Sequence, residues 1–567
     1  MATSPFEIQD VKRLDHLPLA SAVFRFLGLQ AIFDERLPQD PRNHVTPGEC
    51  VQALVLTILT GEHALSQVGE VLSHYDLEII FQRPVDAAHF HDNRLGHVLD
   101  DLWDAGLDRL YSAVIGQAIH KYLIDLSRLH TDTTSLKVYG AYDREEEGPS
   151  VTYGFSKDHR PDLKQLLFGL TVSDDGGVPV WGHVTDGNRS DSKEHRFHLT
   201  QLRRHLPDLQ ETLLVTDSKF FAGETLLAAG EEQIPFVTLV PKTVRLRRKL
   251  SEEIGSEALP VLFERPGRRK GEVEVFRGRS VNCPYRCCNE EGEKKELLLR
   301  FLVVQSTQLK RQKASTLKKE RRREREQLEK RLASWEGREF ACEADAKDAL
   351  KRFQKEQSLS YHRLEGKVYA EEVAGRYPRR GRPKKGEERP KRKVFRVAWE
   401  IEEASEVWEA RVQREGCFVL ATDVLDEDEL SDAELLQAYK GQHRVESSFR
   451  WAKNPAAIAP IFLEKPTRIA ALGFVYLVVL LIYTLVERQV RQALSERGKQ
   501  VGKGARATER PTARTVFRMM RGISSITLVI GKVMRKEVTT LREKQTQIAR
   551  LMGFEEAIYA PPKIPSS

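Results

Sequence analysis

The stretch YKGQHRVESSFRWAK, Tyr439 to Lys453, sets one glutamate among several cations. At about 100° per residue, Tyr439, Gln442, Glu446, Arg450 and Lys453 fall within roughly 80° of one another on a helix and form a single polar stripe. Ala438, Val445, Phe449 and Ala452 make the adjoining apolar flank. Ser431 with Glu434 reads as a capping box and Asn454-Pro455 as a stop, so the pattern predicts one amphipathic helix of about 22 residues. Alone, the stripe reads most simply as a solvated face whose Glu446–Arg450 pair contributes about 0.2–0.5 kcal/mol. The rest of the chain changes that reading.

Immediately upstream, CFVLATDVL is a core strand that leads straight into this helix. Further back, LSRLHTDTTSLKVYG, KQLLFGLTVSD and VPVWGHVTDG read as strands, the last two joined by a pair of glycines in a hairpin-like arrangement. EHRFHLTQLRRHL then reads as a helix, ETLLVTDSKFF as a buried strand, AGETLLAAGEE as a helix and PFVTLVPKT as a strand. That order describes a mixed α/β sheet. Residues 244–412 interrupt it with the strand-like ELLLRFLVVQS and KVFRVAWEIE, a charged helical piece over about 309–357, and GRYPRRGRPKKGEERPKRK, too rich in Pro, Gly and charge to pack as a core. Residues 10 to 120 read as helical. In HVTPGECVQALVLTILTG, Thr46 is an N-cap, Pro47 the first helical residue and Gly61 a stop. This helix and the next form either a helix-turn-helix DNA reader or an ordinary bundle pair.

At 567 residues the chain is long enough for roughly two to four domains. Its net charge of +7 is concentrated: Lys310–Arg331 holds 11 basic against 4 acidic residues, and Arg376–Lys393 holds 10 against 2, leaving the remainder net negative. Such clustering suits a polyanionic partner. Six cysteines in this length make no disulfide framework, and NCPYRCC lacks a second Cys/His pair at zinc-ribbon spacing. The expected compartment is the cytoplasm, since the first residues carry no secretory pattern. Ile469 to Val486 runs without a charge at the lower limit for a membrane span. Being solitary and directly after an amphipathic helix, it is expected to be a buried core helix, with no membrane partner.

Strand ends are where an α/β sheet presents chemistry. Asp132 interrupts the β-prone LHTDTTSL and Asp217 terminates the apolar LLVTD. A carboxylate at the end of a buried strand is costly unless it is paired or binds a cation, although an aspartate there also caps turns. Two strand aspartates and Glu446, on the helix after the last strand, supply hard oxygen ligands for divalent cations. Two Mg²⁺ ions about 3.5–4 Å apart activate an attacking oxygen and stabilise a leaving one in phosphoryl transfer.

In this order, HTDTTS, LLVTDSKFF and YKGQHRVESSFRWAK resemble the DDE transposases of bacterial insertion sequences, and more narrowly the insertion-sequence-four-like group marked by Tyr-x2-Arg-x3-Glu-x6-Lys. YGFSKDHRPDLKQ, Tyr153 to Gln165, and the N-terminal helical region resemble one branch of that group. The resemblance spans most of residues 10 to 490 and rests on the ordered set, each Asp motif being weak alone. It implies an RNase H-like mixed-sheet core over 123–243 and 413–495. An all-α N-terminal domain (1–122), a β-rich and helical basic insertion (244–412) and a basic C-terminal region (496–567) complete the expected division.

The resemblance makes Asp132, Asp217 and Glu446 the catalytic and metal-binding triad, with Mg²⁺ (or Mn²⁺), expected as a pair of ions, as cofactor. Tyr439 and Lys453 occupy the signature's flanking positions and are expected at DNA phosphates. The signature's arginine position holds Gln442, with Arg444 or Arg450 as alternative sources of charge. Arg380 and Arg382, in Arg-Gly-Arg-Pro, resemble an AT-hook for an A·T-rich minor groove. The implied activity is cut-and-paste transposition: strand cleavage at the element's terminal inverted repeats, then strand transfer into target DNA by a homodimer at the nucleoid. No GxxxxGK[ST] loop is present to bind ATP. The competing reading is a catalytically inactive or repurposed DNA-binding descendant.

Overall fold

The computed structural model describes residues 7–61, 64–138, 142, 147–154, 162–206, 209–254, 259–267, 271–289, 291–376, 389–443, 445–446, 463–502, 507–530 and 533–562. Strand β1 (Glu7–Arg13) is followed by helices α1 (Leu17–Phe26), α2 (Leu29–Arg36), α3 (Pro47–Thr60), α4 (Val68–Ser73), α5 (Leu77–Phe81), α6 (Asp92–Ala105) and α7 (Leu107–Tyr122). Next come β2 (Arg128–Lys137), β3 (Gln165–Ser173), β4 (Pro179–Thr185), α8 (Asp191–His205), β5 (Leu213–Thr216), α9 (Gly223–Glu231), β6 (Phe236–Leu239) and α10 (Arg245–Glu253). The middle of the chain forms β7 (Val261–Pro266), β8 (Val273–Cys288), β9 (Lys294–Ser306), α11 (Thr307–Ala333), α12 (Glu343–Glu356), β10 (His362–Ala374), β11 (Lys391–Glu403) and α13 (Ser405–Glu415). It ends with β12 (Cys417–Thr422), α14 (Asp432–Lys440), α15 (Pro466–Glu496), α16 (Ala513–Met519), β13 (Ser524–Ile530), β14 (Val533–Val538) and α17 (Glu543–Leu551).

Local signals act as the sequence predicts. At α3, the Thr46 hydroxyl accepts from Glu49 N (3.2 Å), the Glu49 carboxylate accepts from Thr46 N (2.8 Å), and Gly61 stops the helix at φ +95°. Gly176 and Gly177, both with positive φ, turn β3 into β4. The main sheet has the order β4-β3-β2-β5-β6-β12-β9-β8-β7. Strands β2, β5 and β6 run parallel, whereas β3 is antiparallel to β2 and β12 antiparallel to β6. Helices α8 and α9 pack on one face with Leu129, Leu214, Phe236 and Val419. On the other face α14 covers β5, β6 and β12 through Leu435 and Leu436, and α15 covers β3 and β4. The middle of β2 lies between them.

Helix α15 is long and apolar enough to cross a membrane, yet 94% of its apolar window is buried by protein. Polar clamps fix both ends: Arg468 forks onto Asp100 (2.8 and 2.6 Å) and Arg488 onto Asp175 (2.9 and 2.6 Å). The expectation of a core helix fits this enclosure.

Two expectations require correction. The N-terminal part is not all-α, because β1 pairs antiparallel with β13 in a three-stranded sheet completed by β14. The same junction is closed by Leu14 N donating to Ile523 O (2.9 Å) and the Tyr559 hydroxyl donating to Asp15 O (2.9 Å), so the C-terminal region folds onto the N-terminal helices. Nor is 244–412 wholly a separate insertion. Strands β7 to β9 extend the main sheet, since β9 pairs with β12 through the buried row Phe301 to Val304. Only the part from α11 to α13, with the β10–β11 hairpin, stands outside it.

Candidate active site

The β2–β5 ladder ends with His130 beside Val215; Asp132 lies two residues further along β2, on the face that carries α14, as does His130, and Asp217 lies two residues beyond Val215, just past the end of β5. The Asp132 carboxylate accepts from Thr133 N (2.7 Å), and that of Asp217 accepts from Lys219 N (3.0 Å). Asp217 thus does cap its turn, as aspartates at strand ends do. Its side chain remains about one-third exposed, with His195 Nε2 at 4.0 Å. The Thr238 hydroxyl donates to the Asp217 carbonyl (2.6 Å) and fixes the strand end.

The third carboxylate arrives on a broken helix. The Ser431–Glu434 capping box forms as predicted, but α14 ends at Lys440 instead of running for six turns. Residues 443, 445 and 446 are helical again, after a turn in which Gln442 N donates to Tyr439 O (3.1 Å). Gly441 keeps a helical backbone (φ −68°, ψ −16°) and presses close to β2: a Cβ there would lie 2.8 Å from the His130 ring and 2.7 Å from the Asp174 carboxylate, so only glycine fits. Glu446, one turn on, is exposed.

The Tyr439 phenol is pushed up to about 12, first by burial and then by the negative charges of Asp217 and Glu446, so it stays protonated at neutral pH. Beside it, burial lowers the Lys440 ammonium to about 8; its Nζ sits over the Phe276 and Phe418 rings at 4.6 and 4.7 Å.

Gln442 does not face outward as a phosphate contact. Its Nε2 donates to Thr131 O (3.0 Å), and its Oε1 lies 3.3 Å from His130 Nδ1, with His130 Nε2 in turn 2.8 Å from Asp174 Oδ1. These contacts tie the turn after α14 to the strand of Asp132. Arg444, Arg450, Lys453, Arg380 and Arg382 lie outside the described residues.

Several polar residues around the site escaped the sequence reading. His130 and Asp174 have no local signature, because their roles come from the approach of Gly441. His183, Glu194 and His198 converge behind the sheet, with candidate ligand atoms within 4.8 Å of one another. Their signal was present in EHRFH, which sets Glu194 and His198 four apart on one helix face. Burial, then the neighbouring His183 and His195, holds the His198 imidazole well below its usual range.

Residues 127–482 match the model of the transposase DDE domain. The chain belongs to this DDE transposase family. It is therefore a DNA transposase, an enzyme class that generally uses divalent metal ions. Residues 9–116 match a domain of unknown function, DUF4277. No curated protein matches the chain. Among solved structures, a piggyBac transposase synaptic complex with hairpin DNA is 9% identical, covering 90% of this chain and 82% of its own, with a TM-score of 0.36. A pre-cleavage Mos1 transpososome is 8% identical over 35% of this chain and 60% of its own, with a TM-score of 0.14. Likeness at this level does not bear on how this chain works.

Proposed function

We propose that this DDE transposase performs cut-and-paste transposition of a bacterial insertion sequence of the Tyr-x2-Arg-x3-Glu-x6-Lys group, with Asp132, Asp217 and Glu446 as its catalytic triad. The observation that carries the reading is the parallel pairing of β2, which holds Asp132, with β5, which leads into Asp217; the charges of Asp217 and Glu446 both bear on Tyr439. The order β4-β3-β2-β5-β6, with only β3 antiparallel to its neighbours among β2, β5 and β6, supports an RNase H-like core.

The donor set fits a pair of Mg²⁺ ions, since all three groups are hard carboxylate oxygens and both Asp217 and Glu446 are open to solvent. When bound, such ions supply Lewis-acid activation of the attacking oxygen and stabilise the leaving one. The chain's own residues position the reaction. Thr133 and Lys219 backbone N–H groups orient the two aspartates, and Gln442 ties the Glu446 turn to β2. The protonated Tyr439 phenol is a hydrogen-bond donor suited to a phosphate oxygen at the site. Exposed Lys318, Lys319, Arg323 and Lys330 on α11 offer a phosphate-tracking surface. The substrates are then the terminal inverted repeats and a target duplex, handled by a homodimer that joins two ends, in the cytoplasm at the nucleoid.

The test is cleavage of the DNA flanking this gene, with Mg²⁺ or EDTA, by wild type and Asp132→Ala. Metal-dependent nicking at a repeat boundary, lost in the variant, supports the reading. Salt-sensitive binding without cleavage by either protein, with Mn²⁺ and paired ends included, favours the inactive DNA-binding descendant.

A further inference from the structure

We propose that His183, Glu194 and His198 form a second, buried metal site for one divalent transition ion of the zinc class, on the face of the sheet opposite Asp132. His183 comes from β4 and the other two from consecutive turns of α8. Thr131, against which His198 packs, points away from the face of its neighbour Asp132.

Three observations converge. Glu194 is 1% exposed and His198 2%, and among the described residues both Glu194 carboxylate oxygens, both His183 ring nitrogens and His198 Nδ1 are buried without a hydrogen-bond partner. His183 Nε2 and Glu194 Oε1 approach to 2.5 Å without hydrogen-bond alignment, and the nearest guanidinium among the described residues, Arg189 through its Nε, is 3.7 Å from Glu194 Oε2. A buried carboxylate so placed is costly unless it is paired or coordinates a metal.

Second, His198 is oriented as a ligand would be. Its Nε2 meets the hydroxyls of Thr171 and Thr131, the latter at 2.9 Å, which leaves Nδ1 as the free donor atom. Metal-binding imidazoles are held in this way through their other nitrogen. Third, the backbone makes room: a Cβ on Gly169 would sit 2.5 Å from His183 Cε1 and 3.2 Å from Glu194 Oε1. His183 also lines a cavity of about 680 Å³ bounded by Trp103, Asp108, His205 and Phe474.

Two imidazoles and one carboxylate suit Zn²⁺. Mg²⁺ prefers all-oxygen sets, so the two sites would select different ions. The consequence is mechanical. An ion here joins β4 and α8 and, through His198 and Thr131, braces the strand that carries Asp132 and accepts Gln442.

The experiment loads the purified full-length protein with Zn²⁺, removes loose metal by gel filtration and measures bound zinc. About one equivalent per chain is expected, retained in Cys283→Ser/Cys287→Ser/Cys288→Ser and in Asp132→Ala, and reduced to background in Glu194→Gln and His198→Gln. Co²⁺ substitution of the wild type provides a readout independent of variant folding: d–d bands of low-coordinate cobalt without thiolate charge transfer. Wild type that retains no zinc, zinc that survives Glu194→Gln, zinc lost with the cysteines or with Asp132, or a thiolate-type cobalt spectrum would overturn the proposal.

Discussion

Replacing Gln442 with alanine separates a positioning role from a DNA-contact role. The substitution deletes the bond from Nε2 to Thr131 O at 3.0 Å and the acceptor facing His130 Nδ1 at 3.3 Å. At about 0.5–1.5 kcal/mol each, the turn carrying Glu446 loses about 1–3 kcal/mol of docking energy against β2. Since about 1.4 kcal/mol is a factor of ten, the docking equilibrium, and with it the cleavage rate of bound DNA, should fall by about 5- to 140-fold. The assay is single-turnover cleavage at saturating protein, alongside DNA affinity measured across a salt series. Affinity and its salt slope should match wild type, because Gln442 is turned onto the strand. Weakened, less salt-dependent binding with an unchanged cleavage rate of bound DNA would refute the reasoning and restore Gln442 as a phosphate contact.

Two further predictions concern pH and one concerns packing. Burial raises the Asp423 carboxyl from 3.8 to about 6 while its Oδ1 accepts from Phe236 N (2.9 Å). The native state holds this proton more tightly, so the contribution is present at low pH and is lost as pH rises through that window. Asp423→Asn, which keeps an acceptor, should stabilise the fold by about 2–3 kcal/mol at pH 7.5 and by little near pH 4, measured by urea unfolding. His16 has the opposite sign: burial lowers it from 6.5 to about 4, in a stack on Phe517 at 4.5 Å. Its contribution is present above 6.5 and lost as pH falls towards 4, so His16→Gln should flatten the acid limb of the unfolding midpoint by about 3 kcal/mol. Arg488→Met should cost about 2–4 kcal/mol, because it removes the cation facing Asp175 and the donor to the Tyr122 carbonyl, leaving Asp175 with the Asp125 N–H, and Arg488→Met/Asp175→Asn should recover part of that loss in the same unfolding assay.

What was legible in the sequence is what local chemistry determines. The caps at Thr46 and Ser431, the glycine pair before β4 and the core character of α15 all depend on residues within a few positions. Asp132 stood out because it interrupts a β-prone run, and Asp217 because it terminates an apolar one; the first lies inside β2 and the second just past β5, two strands that pair in parallel. What was not legible depends on partners far along the chain. The helix periodicity of 439–453 gives no warning that α14 ends at Lys440, or that Gly441 lies so close to His130 and Asp174 from another part of the sheet. Strand β1 acquires its partner from β13, some five hundred residues away. The segments β7 to β9 resemble any inserted hairpins until β9 pairs with β12. Gln442 appeared to be a missing arginine only because its neighbours across the fold were unknown.

The most direct test of the triad is cleavage by Asp132→Asn, Asp217→Asn and Glu446→Gln, each assayed at saturating protein with Mg²⁺ and with Mn²⁺ on DNA spanning a repeat boundary. Each substitution removes one carboxylate charge while nearly preserving shape. All three variants are expected to bind the DNA as wild type does and to lose strand cleavage. Cleavage at the wild-type rate by any one of them would contradict the triad assignment.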